Sequence, residues 1–257
     1  EDYSIIIPNN ENLSDFQIRI KNLVESLSII ENRDFDIILN EIINIGYDLM
    51  KIRFEAQKTQ EGTMPLIDFI PAIQRVQEII TYGACSEVFT KSQYTRPYTD
   101  ATELVENCKF AQTEIGSFIM TIKVPLGETY IEKVEEKDEY LKDLGRKTIA
   151  RLINGLNDIK QLKLDNENSF RENYDEKLNK NVCDAFSNLL VNEEGFNIEV
   201  SALWDVSKKT ESQLPKFTRI EAKEDFKKLN KMVALLKKIQ ETQTLTIKGI
   251  INKMQRS

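Results

Sequence analysis

Along this chain the spacing of hydrophobic residues alternates between the period of a helix and the period of a strand. Within residues 48–56, apolar and polar residues alternate from Met50 onward, with Met50, Ile52 and Phe54 on one side and Lys51 and Arg53 on the other. This pattern predicts a strand with one buried face. Similar criteria predict strands over residues 3–7, 48–56, 116–124, 196–206, 217–220 and 242–251. Apolar residues at helical spacing predict helices over residues 14–30, 35–45, 71–89, 100–108, 135–156, 178–191 and 222–240.

The order of these elements indicates an α+β fold. The strands do not alternate regularly with single helices, so we expect helices packed on a small, mostly antiparallel sheet, with a C-terminal hairpin–helix–strand section. Residues 165–176 are polar and Asn-rich, and they are predicted to form a mobile loop. This loop would separate an N-terminal α+β core, residues 1–164, from the C-terminal section, residues 177–257. The two parts could also form one continuous domain.

Composition narrows the chemistry that this chain can perform. Of its 257 residues, 40% are hydrophobic and 30% are charged, which is the balance of a globular protein. No uncharged apolar run approaches the ~20 residues of a membrane helix, so we expect a soluble, cytoplasmic protein. Histidine is absent, which excludes Ser-His-Asp and Cys-His catalytic systems. The three cysteines lack metal-ligand spacing and are expected to be reduced and buried.

Charge is distributed unevenly along the chain. The net charge is −7, yet residues 207–257 contain 13 Lys/Arg and 5 Asp/Glu, a local charge of +8, and residues 1–206 carry −15. The predicted helix over residues 222–240 places four basic residues in a stripe opposite its apolar face: Lys223, Lys227, Lys231 and Lys238. The stripe could bind nucleic-acid phosphates, bind a protein partner of opposite charge, or form a solvated face. It contains no aromatic residue that could stack on bases.

Residues 109–118 come closest to a motif, with the sequence Lys-Phe-Ala-Gln-Thr-Glu-Ile-Gly-Ser-Phe. They are predicted to join the end of a helix to the strand that starts at residue 116. Gly116 would allow a close backbone approach to a small ligand. The side chains that could bind this ligand are Gln112, Thr113, Glu114 and Ser117. The same residue types also satisfy the backbone of a tight turn, so a purely structural role is the alternative.

Glu221-Ala222-Lys223 has the Glu-x-Lys spacing found in Mg²⁺-dependent nucleases, and Asp205 precedes Glu221 by 16 residues. In such a site the two acids hold Mg²⁺ and the lysine stabilises the phosphate. With 30% charged residues, the same spacing also arises by chance, and an acid at a helix start is favoured by the helix dipole alone. Mg²⁺ is expected only under this hypothesis. No other cofactor is predicted, because the sequence contains no Gly-rich phosphate-binding loop.

The segment at residues 109–118 resembles a recurring block of uncharacterised bacterial proteins, with the approximate pattern Arg-x-Gly-Gln-Thr-Glu-x-Gly-Ser-[Tyr/Phe]. Lys109 stands in place of the arginine, and Ala111 in place of the first glycine. Other similar pieces, spread over residues 48–257, are the strand around Arg53, the Ile70-Pro71 helix start, and residues 201–204 and 247–251. That family has no established activity. The resemblance implies an accessory component of bacterial operons, and phage defence is one setting in which such a component could act.

Three functional hypotheses follow. The absence of a credible catalytic set and the opposed charge of the two chain ends favour a non-enzymatic interaction or regulatory subunit of a bacterial multiprotein complex, with phage defence as one setting. This subunit would contact a protein partner or form a homo-oligomer. The first alternative is a Mg²⁺-dependent nuclease or nucleic-acid-binding protein. The second is a small-ligand sensor built on residues 112–117. None of the three involves a membrane.

Overall fold

The computed structural model describes residues 46–56, 59, 62–112, 118–126, 143–164, 177–190, 196–205 and 214–254. Within these ranges, the side chains of Gln112 and of residues 240–254 are not described. The strand predicted at residues 3–7, the helices predicted at residues 14–30 and 35–45, and the loop predicted at residues 165–176 lie outside the described residues.

Within the described ranges, five strands form one antiparallel sheet in the order β2-β3-β1-β4-β5. They are β1 (Tyr47–Glu55), β2 (Lys109–Gln112), β3 (Phe118–Pro125), β4 (Asn197–Leu203) and β5 (Phe217–Ile220). Ile52 of β1 lies opposite Met120 of β3 and Val200 of β4, and all three side chains are buried. The alternating apolar positions of the central strands therefore form one continuous surface.

The helices cover that apolar surface of the sheet. Those in the described part of the chain are α1 (Leu66–Val88), α2 (Thr99–Asn107), α3 (Leu144–Gln161), α4 (Lys180–Leu190) and α5 (Ala222–Met254). α1 contacts α2, α3 and α4, and α4 contacts α5. The shared core includes the fully buried side chains of Phe54, Ile79, Leu152 and Phe186. The predicted α+β class is confirmed. None of the helices described is both long and apolar enough to span a bilayer.

The segments on either side of residues 165–176 share one sheet and one core. β1 pairs with β3 from the first segment and with β4 from the second. Leu152 of α3 and Phe186 of α4 belong to the same hydrophobic cluster. The strands and helices of both segments are therefore packed around a common interior.

The predicted terminal strand at residues 242–251 is wrong, because α5 continues as a helix to Met254. β-Branched residues at alternating positions suggested a strand there. However, no Gly or Pro interrupts residues 222–248, so nothing in the sequence ends the helix. Extending an existing helix fixes one residue per hydrogen bond, whereas a new strand needs a partner strand. The chain thus follows the β4–β5 pair with one long helix.

α1 begins at Leu66, earlier than the predicted start, so Pro71 lies inside the helix instead of in its first turn. Proline offers no N–H to the carbonyl of Ile67, one turn earlier. Because Pro71 is exposed, water can form that hydrogen bond instead. The earlier start adds an exposed turn to α1. Ile73, in the next turn, is 38% exposed.

Candidate functional site

The segment at residues 109–118 joins two strands and not a helix to a strand, which corrects the sequence prediction. α2 ends at Asn107, Cys108 is extended, and β2 then pairs antiparallel with β3. Thr113, Glu114, Gly116 and Ser117 lie outside the described residues, and of Gln112 only the backbone is described. The run of four strand residues was too short for its alternation to be recognised in the sequence. A ligand site at residues 112–117 stays a prediction.

The three residues proposed for a nuclease site do not come together. Ile198 of β4 lies opposite Ile220 of β5, so Glu221 lies beside the start of β4. Asp205 follows the other end of β4, about 20 Å away at ~3.3 Å per extended residue. Glu221 accepts a hydrogen bond from Arg219 Nε at 2.7 Å, and Lys223 is exposed. Among the described residues no group of three or more acids or cysteines could hold a metal ion.

The basic stripe of α5 has two kinds of members. Lys223, Lys227 and Lys238 have exposed side chains. Lys231 is half-buried, and its Nζ donates to the carbonyl of Leu164 at 2.6 Å. Lys228 Nζ likewise donates to the carbonyl of Lys160 at 2.6 Å. The carbonyl of Lys160 lies in the last turn of α3, where the helix dipole favours positive charge, and Leu164 lies in the loop that follows. Lys231 therefore helps to attach α5 to α3.

A buried ionic cluster occupies the end of the sheet where β1 begins. Arg146 of α3 donates to both carboxylate oxygens of Asp48, from Nε at 2.8 Å and from Nη2 at 2.7 Å. Asp48 also accepts from the backbone N–H of Asp205 at 2.8 Å, and the carbonyl of Asp205 accepts from Arg146 at 3.0 Å. The Asp205 carboxylate accepts from the N–H of Gly46 at 2.7 Å. The Arg146 guanidinium lies 5.9 Å from the Trp204 ring.

The hydrogen bonds of this cluster compensate for the burial of Asp205. Burial raises the pKa of Asp48, and the hydrogen bonds from Arg146 offset part of that effect. Burial also lowers the pKa of Arg146, but the bonds to Asp48 outweigh it and raise that pKa. These hydrogen bonds tie α3 to the ends of β1 and β4. The sequence contained one indication of this cluster. Asp48 and the buried Met50 are two residues apart, so both side chains lie on the same face of the strand.

An open groove of about 300 Å³ runs along α3 beside this cluster. Its lining includes Arg146, Lys147, Arg151 and Lys177. Arg151 Nε lies 2.5 Å from Glu87 Oε1, and Lys177 Nζ lies 2.8 Å from an oxygen of Asp158. The positive charges are therefore largely balanced by neighbouring acids, and the groove has no evident preference for an anion.

Among the described residues, exposed large apolar side chains follow one another along the first two turns of α1. These four residues, here named the α1 stripe, are Leu66, Ile67, Ile70 and Ile73, with exposures of 70%, 82%, 51% and 38%. Spacings of three and four residues place Leu66, Ile70 and Ile73 on one side of a helix. The opposite side, with Ala72, Val76 and Ile79, is buried in the core. Beyond the stripe, Gln74 and Gln77 make the same face polar.

The sequence analysis did not identify the α1 stripe, because it started the helix too late. The signal was present as Leu-Ile-Asp-Phe-Ile-Pro, an apolar run before the proline. Comparisons of the chain with protein-family models, curated proteins and solved structures yield no match.

Proposed function

We propose that this chain is a non-enzymatic interaction subunit that binds a protein partner through the α1 stripe. The observation that carries the proposal is the exposure of Ile67 and Leu66, at 82% and 70% of their surface, next to Ile70. Isolated exposed apolar residues are ordinary, but a contiguous apolar patch with a polar rim is typical of a protein–protein contact. Phage defence is one setting for such a subunit, by the resemblance of residues 109–118 to proteins of bacterial operons.

Burial of the α1 stripe would supply a useful part of a binding free energy. Fully burying a Leu or Ile side chain contributes about 1.5–3 kcal/mol. Scaled by exposure, Leu66 and Ile67 would each contribute about 1–2.5 kcal/mol in a complex. Two such residues form a plausible centre for a contact whose rim contributes mainly specificity.

The charge of the chain favours a different protein over a second copy as the occupant. Residues 1–206 carry −15, and α1 lies within them. Two acidic bodies that meet through α1 would repel each other, whereas a partner with an apolar centre and a basic rim would be attracted. We therefore expect a heteromeric complex whose association rate falls as salt concentration rises.

The proposal is tested by affinity purification of the tagged protein from its own host, with mass spectrometry of protein and nucleic acid in the eluate. Three forms are compared: wild type, the stripe variant Ile67→Gln/Ile70→Gln, and the control variant Leu203→Gln/Phe217→Gln. The control removes two other exposed apolar side chains, at 55% and 61% exposure. We expect a stoichiometric protein partner with wild type and control, and its loss with the stripe variant.

Two results would contradict the proposal. In the first, the wild-type protein is purified from its host and no other protein is recovered with it in stoichiometric amount. The other is a partner that the stripe variant retains, while circular dichroism shows all three forms folded. Nucleic acid recovered without a protein partner would shift the function to the exposed lysines of α5, Lys223, Lys227 and Lys238. Self-association of the purified chain, measured by light scattering, would contradict the proposal of a heteromeric complex.

A further inference from the structure

Two lysines lie directly opposite each other on β2 and β3, next to an aromatic ring. Lys109 and Lys123 are register partners. Their Nζ atoms lie 5.5 Å and 5.8 Å from the centre of the Tyr47 ring. Lys109 Nζ also donates a hydrogen bond to Tyr47 Oη at 3.3 Å. Lys109 is exposed, and Lys123 and Tyr47 are half-buried.

This arrangement is electrostatically unfavourable in the protein alone. Like charges that are directly opposite on neighbouring strands destabilise a sheet. Neither lysine forms an ion pair with an acidic residue in the part of the chain that the structure describes. Burial and the charge of Lys109 lower the pKa of Lys123. Both ammonium groups thus lie within 6 Å of the Tyr47 ring centre, and no carboxylate of the described residues pairs with either of them. A surface lined by charges of one sign attracts ions of the opposite sign.

We propose that Lys109, Lys123 and Tyr47 form a binding site for the dianionic phosphate group of a phosphate monoester. Each ammonium group has three N–H donors, and Tyr47 Oη, which accepts from Lys109, keeps its own O–H for donation. The phosphate oxygens would accept from all three groups. A monoester carries a charge of about −1.5 to −2 at pH 7 and matches two ammonium groups. A phosphodiester carries a single negative charge and would leave half of the repulsion uncompensated.

The site is separate from the α1 stripe. Phe69 of α1 contacts Phe118, with ring centres 5.6 Å apart, at the start of β3. Lys123 lies five residues further along β3, which is about 16 Å at ~3.3 Å per residue. Loss of anion binding and loss of a protein partner are therefore distinguishable, since each has its own set of variants.

Isothermal titration calorimetry of the whole chain with phenyl phosphate, at constant ionic strength, tests the proposal. The site variant is Lys109→Met/Lys123→Met. The control variant, Lys227→Met/Lys237→Met, removes the same charge from exposed positions of α5. We expect the control to bind within twofold of wild type and the site variant to bind at least tenfold more weakly. Wild type should bind dimethyl phosphate, a monoanion, at least tenfold more weakly than phenyl phosphate.

The unliganded proteins provide a second measurement. Because the two ammonium groups repel each other, Lys109→Met should leave the melting temperature unchanged or raise it. If the double variant does not fold, the same calorimetric titration is performed with Lys109→Gln, because Lys109 is exposed. A 5′-phosphorylated oligonucleotide that binds wild type more tightly than phenyl phosphate would identify a nucleic-acid end as the phosphate source. Equal or weaker binding would identify a small molecule.

Three results would overturn the proposal: no binding of phenyl phosphate at millimolar concentration, equal binding by wild type and the site variant, or equal binding of the monoester and dimethyl phosphate by wild type. The last result would show general charge attraction without selection of a dianion.

Discussion

The buried pair of Asp48 and Arg146 allows a sharp test of how burial determines the strength of an ion pair. Asp48→Asn removes the negative charge with little change in shape and leaves the guanidinium of Arg146 in a site where its side chain is only 4% exposed. The matched control is Glu78→Gln, which breaks the pair between Arg75 and Glu78. That pair has the same 2.7 Å separation, but its side chains are 39% and 42% exposed.

The two substitutions should change the free energy of unfolding by different amounts, because one ion pair is buried and the other is exposed. Removing one partner of a buried ion pair costs about 3–5 kcal/mol, because the other charge is left buried without compensation. Asp48 accepts three hydrogen bonds, two from Arg146 and one from the N–H of Asp205, and its replacement weakens each of them. We therefore expect Asp48→Asn to lower the free energy of unfolding by about 3–5 kcal/mol, a large share of the ~5–15 kcal/mol of a typical domain. Glu78→Gln should cost less than about 0.5 kcal/mol.

Urea unfolding provides the measurement. Far-UV circular dichroism follows the helices, and fluorescence of Trp204, the single tryptophan, reports on the environment of Arg146. The variant Arg146→Met and the double variant Asp48→Asn/Arg146→Met complete a double-mutant cycle. Once one partner is gone, losing the other costs less, so the double variant should be more stable than the sum of the single effects by about 1–3 kcal/mol.

Either of two results would refute this account. One is a cost for Asp48→Asn no larger than that for Glu78→Gln. The other is strict additivity of Asp48→Asn and Arg146→Met, which would mean that the two side chains do not act as a pair.

Three further predictions concern packing, thiol chemistry and the attachment of α5. Gly145→Ala should destabilise the protein by about 1–3 kcal/mol in urea unfolding, although alanine is normally the better helix residue, because its Cβ would lie 2.8 Å from the carbonyl oxygen of Pro125. Burial raises the pKa of Cys108 to about 12 from 9.0, so its thiol should react slowly with a thiol reagent at pH 8 and rapidly after unfolding. The unfolded chain loses that proton near pH 9 and the folded chain keeps it, so Cys108 should make stability fall as pH rises from 9 towards 12. Lys231→Met should lower the midpoint of urea unfolding by more than Lys227→Met, because Lys231 is half-buried and donates to the carbonyl of Leu164, whereas Lys227 is exposed.

The success of sequence interpretation differed among the elements for physical reasons. β1 could be predicted because apolar and polar residues alternate from Met50 to Ala56, which favours one face for the core. β2 was missed because four residues are too few to show a period, and the strand exists through its pairing with β3. The C-terminal part of α5 was misassigned because β-branched residues favour strands only where a partner strand is available. The start of α1 was placed too late because Pro71 was taken as a boundary.

The candidate sites follow the same division. Composition alone excluded histidine-based catalysis. The order of residues along the chain showed that basic residues are in excess over residues 207–257. The pairing of Asp205 with Glu221 rested on spacing along the chain, and spacing does not determine distance once two strands run antiparallel. The exposed α1 stripe and the neighbouring Lys109 and Lys123 required the packed structure, since exposure and register are properties of contacts between elements.

The sequence by itself determined the apolar phase of β1, the amphipathic character of the helices and the α+β class, because these depend on residues close together along the chain. The tertiary structure alone decided the order of the strands and the contacts between distant residues. Asp48 meets Arg146 across 98 positions and the N–H of Asp205 across 157. Such contacts depend on which strands pair and in which register, and this is selected by burial of the whole apolar surface, not by any local preference.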